Sequence, residues 1–238
     1  MNYPTSERIG AGDFYVIPHS EIAPPTRLTI AVAGNIGAGK TTLARRISEI
    51  LHFEAFLEPV AFNPYLEDFY IQPERWSFPL QVVFLTQKLK LMRQLQQSTH
   101  HRVLDRTLHE DAAVFAATQH QAGFMDDRDW QAYSELYGAL ESIIVLPDLI
   151  LYLQADVDFL MYRIQRRRRP EEKPIKEDYL DRLNHAYDEW IEGISKRTRV
   201  LKVRALDYES GPDWKRLDAL VHDVEKLLVR TIAFKFQK

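Results

Sequence analysis

Short β-branched or apolar runs recur along the chain at residues 28–33, 55–57, 102–104, 149–153 and 200–203, separated by segments with helical spacing. Strands alternating with amphipathic helices predict a five-stranded parallel sheet covered by helices on both faces, an α/β fold of three layers. A helix is expected over residues 41–51. A second is expected over 80–97, where Leu85, Leu89 and Met92 repeat at helical intervals, and a third over 214–229, with Leu217, Leu220, Val221, Val224 and Leu228 on one stripe.

Composition narrows this picture. With 238 residues, 45% hydrophobic and 27% charged, the chain can bury one substantial core. It has no cysteine, which excludes a disulfide framework and any thiolate metal site, and no apolar stretch long enough to span a bilayer. A cytoplasmic protein without a membrane partner is expected. Residues 1–26 carry four prolines and the charges of Glu7, Arg8, Asp13 and Glu21, and read as an extension outside a main domain at 27–238. A net charge of −3 argues against a surface that coats nucleic acid, and leaves room for a small anionic ligand. The eight histidines are scattered, and the adjacent His100 and His101 lack the supporting ligands of a zinc site.

The strongest chemical signal follows the first run. Gly34-Asn35-Ile36-Gly37-Ala38-Gly39-Lys40-Thr41 is a complete G-x-x-x-x-G-K-S/T phosphate loop between a strand and a helix. Its glycines let backbone N–H groups turn around a polyphosphate, Lys40 reaches the outer phosphate oxygens, and the Thr41 hydroxyl can join a Mg²⁺ shell. With Thr42, these residues are the candidates for holding ATP. The plainer alternative is a glycine turn joining a core strand to its helix.

Three further features suit phosphoryl transfer, which needs positioning and charge neutralisation more than covalent chemistry. Glu58 stands after the second strand, at the sheet edge where ligands of open α/β sheets gather, and is the candidate general base. Asp105 and Arg106 close the third strand; Asp105 can hold Mg²⁺ through water and Arg106 can grip acceptor or phosphate oxygens. The run from Arg163 to Arg169 offers a cationic lid in which Arg167 and Arg169 face the transferring phosphate. A solvated carboxylate, a structural ion pair and a basic helix end are the respective alternatives.

These pieces, in this order, resemble the deoxynucleoside kinase family, the P-loop salvage enzymes that phosphorylate the 5′-hydroxyl of deoxyribonucleosides. The resemblance runs from about residue 29 to 214. It rests on the phosphate loop; Glu58-Pro59-Val60; Tyr70 with Pro73-Glu74-Arg75-Trp76-Ser77-Phe78 and Gln81; Asp105-Arg106-Thr107 with Asp111 and Phe115; the arginine run through Glu172; and Tyr179-Leu180 leading to Tyr187-Asp188-Glu189-Trp190. It implies a P-loop NTPase fold, ATP and Mg²⁺ as donor and cofactor, a deoxynucleoside as small-molecule partner, and a homodimer. It also implies Glu58 as base with Arg106 beside it, Tyr70 and Glu172 on the sugar 3′-hydroxyl, Gln81 and Asp111 on the base edge, and Trp76 and Phe115 packed around the base. Asp207 and Tyr208 match the loop over the donor adenine.

The residues agree with part of this assignment independently. Gln81 and Lys88 fall seven apart on the stripe of Leu85 and Met92, so both point inward, and Asp111 and Phe115 share a helical face. Trp76 taken alone is as readily a core residue. One departure concerns Lys88, which stands where relatives accepting deoxyadenosine, deoxyguanosine or deoxycytidine place an arginine; a point charge replaces a planar fork. The resemblance would place a small apolar residue at Asp111 in a thymidine-preferring site, so the acceptor expected is a purine deoxynucleoside, with deoxycytidine also admitted. Two other readings are a thymidylate-type monophosphate kinase, in which an arginine would stand at Leu57, and a P-loop sensor that binds ATP without transferring it.

Overall fold

The structure is a computed structural model that describes residues 8–9, 12–15, 27–58, 63–141, 144, 146–208 and 214–236. Pro59, Val60 and most of the leading segment therefore lie outside the described residues. In chain order the elements are β1 (Arg8–Ile9), β2 (Gly12–Tyr15), β3 (Thr29–Gly34), α1 (Lys40–Leu51), β4 (Glu54–Phe56), α2 (Leu66–Ile71), α3 (Pro73–Gln97) and β5 (Arg102–Asp105). Then come α4 (Leu108–Glu110), a π-helical turn (Asp111–Ala116) and α5 (Ala117–Gln121), which run on as one helical segment. They are followed by α6 (Asp127–Glu141), β6 (Leu149–Gln154), α7 (Val157–Arg167), α8 (Glu177–Ile194), β7 (Arg199–Arg204) and α9 (Lys215–Phe236).

The five expected strands form one parallel sheet in the order β7-β6-β3-β5-β4, with β3 at its centre. Two short antiparallel strands from the leading segment, β2 on β7 and β1 on β2, extend it at one edge. Every residue of β3 is buried, as a central parallel strand covered on both faces requires.

Alternation along the strands sorts the core into two layers. Ile30 and Val32 of β3, Leu149, Leu151 and Leu153 of β6, and Leu201 and Val203 of β7 face one side, where Leu43 and Ile47 of α1 and Leu217, Leu220, Val221 and Val224 of α9 cover them. Ala31 and Ala33, Ile150 and Tyr152, and Val200 face the other side, against Leu183, Tyr187, Trp190, Ile191 and Ile194 of α8 and Met92 and Leu95 of α3. Truncating a fully buried leucine such as Leu43 to Ala is expected to cost about 3–5 kcal/mol.

α3 starts at Pro73, seven residues before the expected helix, and carries Pro79 inside it. Proline suits the first helical position, but in the interior it withdraws one backbone donor. The carbonyl deprived of that donor belongs to the exposed Arg75, where water can serve, while the neighbouring Ser77 and Leu80 are buried and hold the turn in place.

Candidate active site

At the carboxyl end of β3 the chain enters the phosphate loop through Gly34, whose φ of 145° lies beside the β6 backbone. A Cβ there would stand 2.7 Å from the Leu153 carbonyl oxygen. Gly37 and Gly39 also take positive φ, and α1 begins at Lys40. The side chain of Asn35 is spent on fixing this loop. Its Nδ2 donates to the Leu180 carbonyl and to Asn184 Oδ1, both at 2.8 Å, and its Oδ1 accepts the Ile36 N–H at 2.7 Å. Asn35 thus ties the loop to α8 rather than presenting its amide to a ligand.

A cavity opens in front of the loop. Ile36, Gly37, Lys40 and Thr41 line it from the loop and the start of α1; Glu58, Asp105 and Arg106 follow the strand ends; Tyr70, Gln81, Asp111 and Phe115 line it from the helices, with Arg167, Arg169 and Glu172 from the arginine run and the turn after it. The strand-end residues meet because β4 and β5 are adjacent and in register, Phe56 opposite Leu104. Arg106 Nε donates to Glu58 Oε2 at 2.9 Å, and Lys88 Nζ stands 3.8 Å from both Glu58 Oε1 and Asp111 Oδ2.

Arg106 adopts a left-handed backbone with φ of 69°, which costs a non-glycine residue about 1–2 kcal/mol and persists only where the surroundings dictate it. Its N–H still bonds the Val32 carbonyl at 3.1 Å, and its Nη1 donates to Glu110 Oε1 at 2.8 Å and to the Tyr187 hydroxyl at 2.6 Å. The Tyr187 hydroxyl lies against two acceptors, the Gly34 carbonyl at 2.7 Å and Glu110 Oε1. Glu110 also closes a capping box with Thr107, which starts α4. Glu110 was not singled out in the sequence, and Tyr187 entered only as part of a motif with no role attached: a Thr-x-x-Glu pattern signals a helix start, and a tyrosine on an apolar stripe signals core.

Electrostatics divide the site. Burial raises the Glu58 carboxyl, but Arg106, Lys88 and Lys40 outweigh it and hold the group below the usual carboxylate range, so it is ionised at neutral pH. Burial pushes Asp111 up to about 7 against the pull of Lys88. Burial, then the Arg106 charge, lowers the Lys40 amine to about 7 despite Asp105, Glu110 and Glu58. An ammonium so placed gains most from an arriving polyanion. In the lid, Arg167 grips Glu172 with two bonds, Nε at 2.6 Å and Nη2 at 2.5 Å, and Arg169 approaches the same carboxylate at 3.5 Å.

Some expected residues stand elsewhere. Trp76 does not line the cavity: its ring stacks at 5.3 Å on Tyr65, which caps the start of α2, with the Arg75 guanidinium over it. The core reading describes it better than a place against a base. Lys88 lies behind Glu58 and Asp111 rather than on the wall. Asp207 and Tyr208 sit on a 3-10 turn (Ala205–Tyr208) after β7, and the half-buried Thr42 on α1, all outside the lining. Gln119 and Tyr179 line the cavity and were not anticipated as site residues.

A phosphate loop facing an ionised carboxylate and its arginine across one walled cavity defines a nucleotide-dependent phosphotransferase. A family model described as deoxynucleoside kinase matches residues 30–229, and the chain belongs to that family, whose members phosphorylate deoxynucleosides with ATP. The chain is 33% identical over 206 residues to the deoxyadenosine/deoxycytidine kinase of Bacillus subtilis, spanning 86% of this chain and 94% of that one. It is 37% identical over 174 residues to the deoxyadenosine kinase of Dictyostelium discoideum, spanning 73% and 71%. A solved structure of deoxyadenosine kinase from M. mycoides with bound dCTP superposes with a TM-score of 0.73 at 28% identity, covering 84% of this chain and all of that one. These similarities favour neither a monophosphate kinase nor a non-catalytic sensor.

Proposed function

We propose that the chain transfers the γ-phosphoryl group of ATP to the 5′-hydroxyl of a purine deoxynucleoside, deoxyadenosine foremost, and also accepts deoxycytidine. The observation that carries this reading is the convergence of Glu58 and its partner Arg106 with Lys40 and Thr41 on one cavity. In the step, Glu58 takes the 5′-hydroxyl proton as that oxygen bonds to phosphorus, and the bond from phosphorus to the β–γ bridging oxygen breaks to release ADP. Arg106 keeps Glu58 ionised and oriented toward the hydroxyl. Lys40, Arg167 and Arg169 supply positive charge around the migrating group. Tyr70 and Glu172 hold the 3′-hydroxyl, while Gln81, Asp111 and Phe115 surround the base. Lys88 acts on the base through Asp111.

Mg²⁺ suits the donor set: Thr41 Oγ1 hydrogen-bonds Asp105 Oδ2, and the buried Asp105 Oδ1 has no hydrogen-bond partner, leaving hard oxygen ligands beside the loop. When bound, the ion neutralises phosphate charge. The relatives named as deoxyadenosine and deoxycytidine kinases support the base assignment. We further place the enzyme in the cytoplasm, where ATP is supplied, and infer a homodimer through α3 and α6, the latter exposing Leu136. Light scattering should then give about twice 27.9 kDa.

The test is a panel of the four deoxynucleosides with ATP, on wild type and Glu58→Gln. Deoxyadenosine should lead for wild type, and the variant should lose about a hundredfold or more in single-turnover rate while still binding nucleoside. A variant near the wild-type rate removes Glu58 as the base, and preference for a nucleoside monophosphate over the nucleoside ends the reading.

A further inference from the structure

Gln119 of α5 is a buried polar side chain with a role still to be explained. It is 1% exposed, it lines the cavity, and its Oε1 has no hydrogen-bond partner. A buried carbonyl oxygen without a donor is costly, and a wall position lets a ligand provide one.

The backbone explains how Gln119 comes to share a wall with Asp111 and Phe115. On an α-helix, residues four apart drift by about 40°, so residues eight apart would face about 80° away from each other. Between Asp111 and Ala116 the segment is a π turn, which winds less per residue and takes back that drift. Asp111, Phe115 and Gln119 accordingly all line one cavity. π turns recur at functional positions because they realign side chains in this way.

We propose that Gln119 is a base-reading residue whose Oε1 accepts a hydrogen from an exocyclic amine of the substrate's base. This inference rests on the cavity holding a deoxynucleoside. An amine can sit at C6, as in adenine, or at C2, as in guanine, and the chemistry Gln119 offers is the same for both. A site built to bond a polar group discriminates strongly against analogues lacking it, because its own group is left unpaired.

Two pairs of purine deoxynucleosides that differ by one amine test this. Deoxyadenosine is compared with purine 2′-deoxyriboside for the C6 amine, and deoxyguanosine with deoxyinosine for the C2 amine, as kcat/KM for wild type, Gln119→Leu and Gln119→Met. Wild type should favour the amine-bearing member of at least one pair by about tenfold or more. Both variants should lose that preference by lowering kcat/KM on the amine-bearing member about tenfold, with the desamino partner changed less than threefold. The pair that responds names the amine. Equal losses on both members, an unchanged preference, or a wild type indifferent to amines in both pairs overturns the proposal; should a variant fail to fold, the wild-type comparison and the other variant still decide. Wild type inactive on every deoxynucleoside is a separate result that refutes the underlying function.

Discussion

Replacing Tyr187 with Phe removes one oxygen and keeps the ring that stacks on Tyr152 at 5.6 Å and meets Trp190 edge-on. That oxygen receives a charge-assisted bond from Arg106 Nη1 at 2.6 Å and donates its single proton to one of two acceptors, the Gly34 carbonyl at 2.7 Å or Glu110 Oε1. Loss of the first bond is worth about 1.5–3 kcal/mol, reduced because Arg106 keeps Glu110 and Glu58. Leaving a buried acceptor without its donor costs about 1–3 kcal/mol more. With the first term so reduced to about 1 kcal/mol, the total of about 2–4 kcal/mol corresponds to a fall in Tm of about 5–15 °C for a chain of this size. Because Arg106 sits in a left-handed conformation held by these bonds, its guanidinium should also wander from Glu58. We expect kcat to fall about tenfold, equivalent to about 1.4 kcal/mol of transition-state stabilisation, with KM for the nucleoside within threefold. Differential scanning fluorimetry and steady-state kinetics on one preparation measure both. A Tm within 1 °C of wild type together with an unchanged kcat would show that the hydroxyl holds neither the loop nor the arginine.

Three other outcomes are expected. Gly34→Ala places a methyl 2.7 Å from the Leu153 carbonyl at a φ that L-residues avoid, so it should destabilise by about 2 kcal/mol or more and abolish ATP binding; a soluble variant with wild-type Tm refutes the close approach. Lys88→Arg should change the ratio of kcat/KM values between purine deoxynucleosides and deoxycytidine, through the Asp111 contact; an unchanged ratio would remove Lys88 from base selection. Asp111, pushed up to about 7, binds a proton in the folded state that the unfolded state has lost above about pH 4, so its contribution to stability declines from pH 4 to 7. The Tm of Asp111→Asn minus that of wild type should therefore grow more positive between pH 5 and 8, and a difference that stays flat refutes the shift.

The parallel sheet was legible because its strands are short apolar runs separated by amphipathic helices, and its edges moved by only a residue or two, as at β3 and β7. The early start of α3 was hidden by Pro79, whose local penalty is outweighed by the burial of Ser77 and Leu80. α6 spaces Trp130, Tyr133, Tyr137 and Leu140 at helical intervals, a pattern weakened by the charged and polar residues between them, and it was not anticipated. In the site, residue types tied to chemistry could be found by motif: Lys40, Glu58, Arg106, Arg167 and Arg169 all line the cavity. What could not be read was geometry that departs from regular periods. The π turn that brings Gln119 to the wall has no signature at 3.6 residues, and the bonds that Tyr187 makes to Gly34 and Arg106 span 153 and 81 residues of sequence. Trp76 shows the converse, a residue type suited to base stacking that finds Tyr65 instead.

Glu110 touches both sides of the cavity: one oxygen meets Arg106, Tyr187 and the Gly34 N–H, and the other caps the helical segment that leads to the cavity-lining Asp111, Phe115 and Gln119. Positions beyond it on that segment, other than Phe115, whose ring centroid lies 4.4 Å from the Arg106 guanidinium, are the ones to vary for altered acceptors. A change at this carboxylate would instead propagate to donor and acceptor sites together, which makes it the position to leave untouched when re-engineering selectivity.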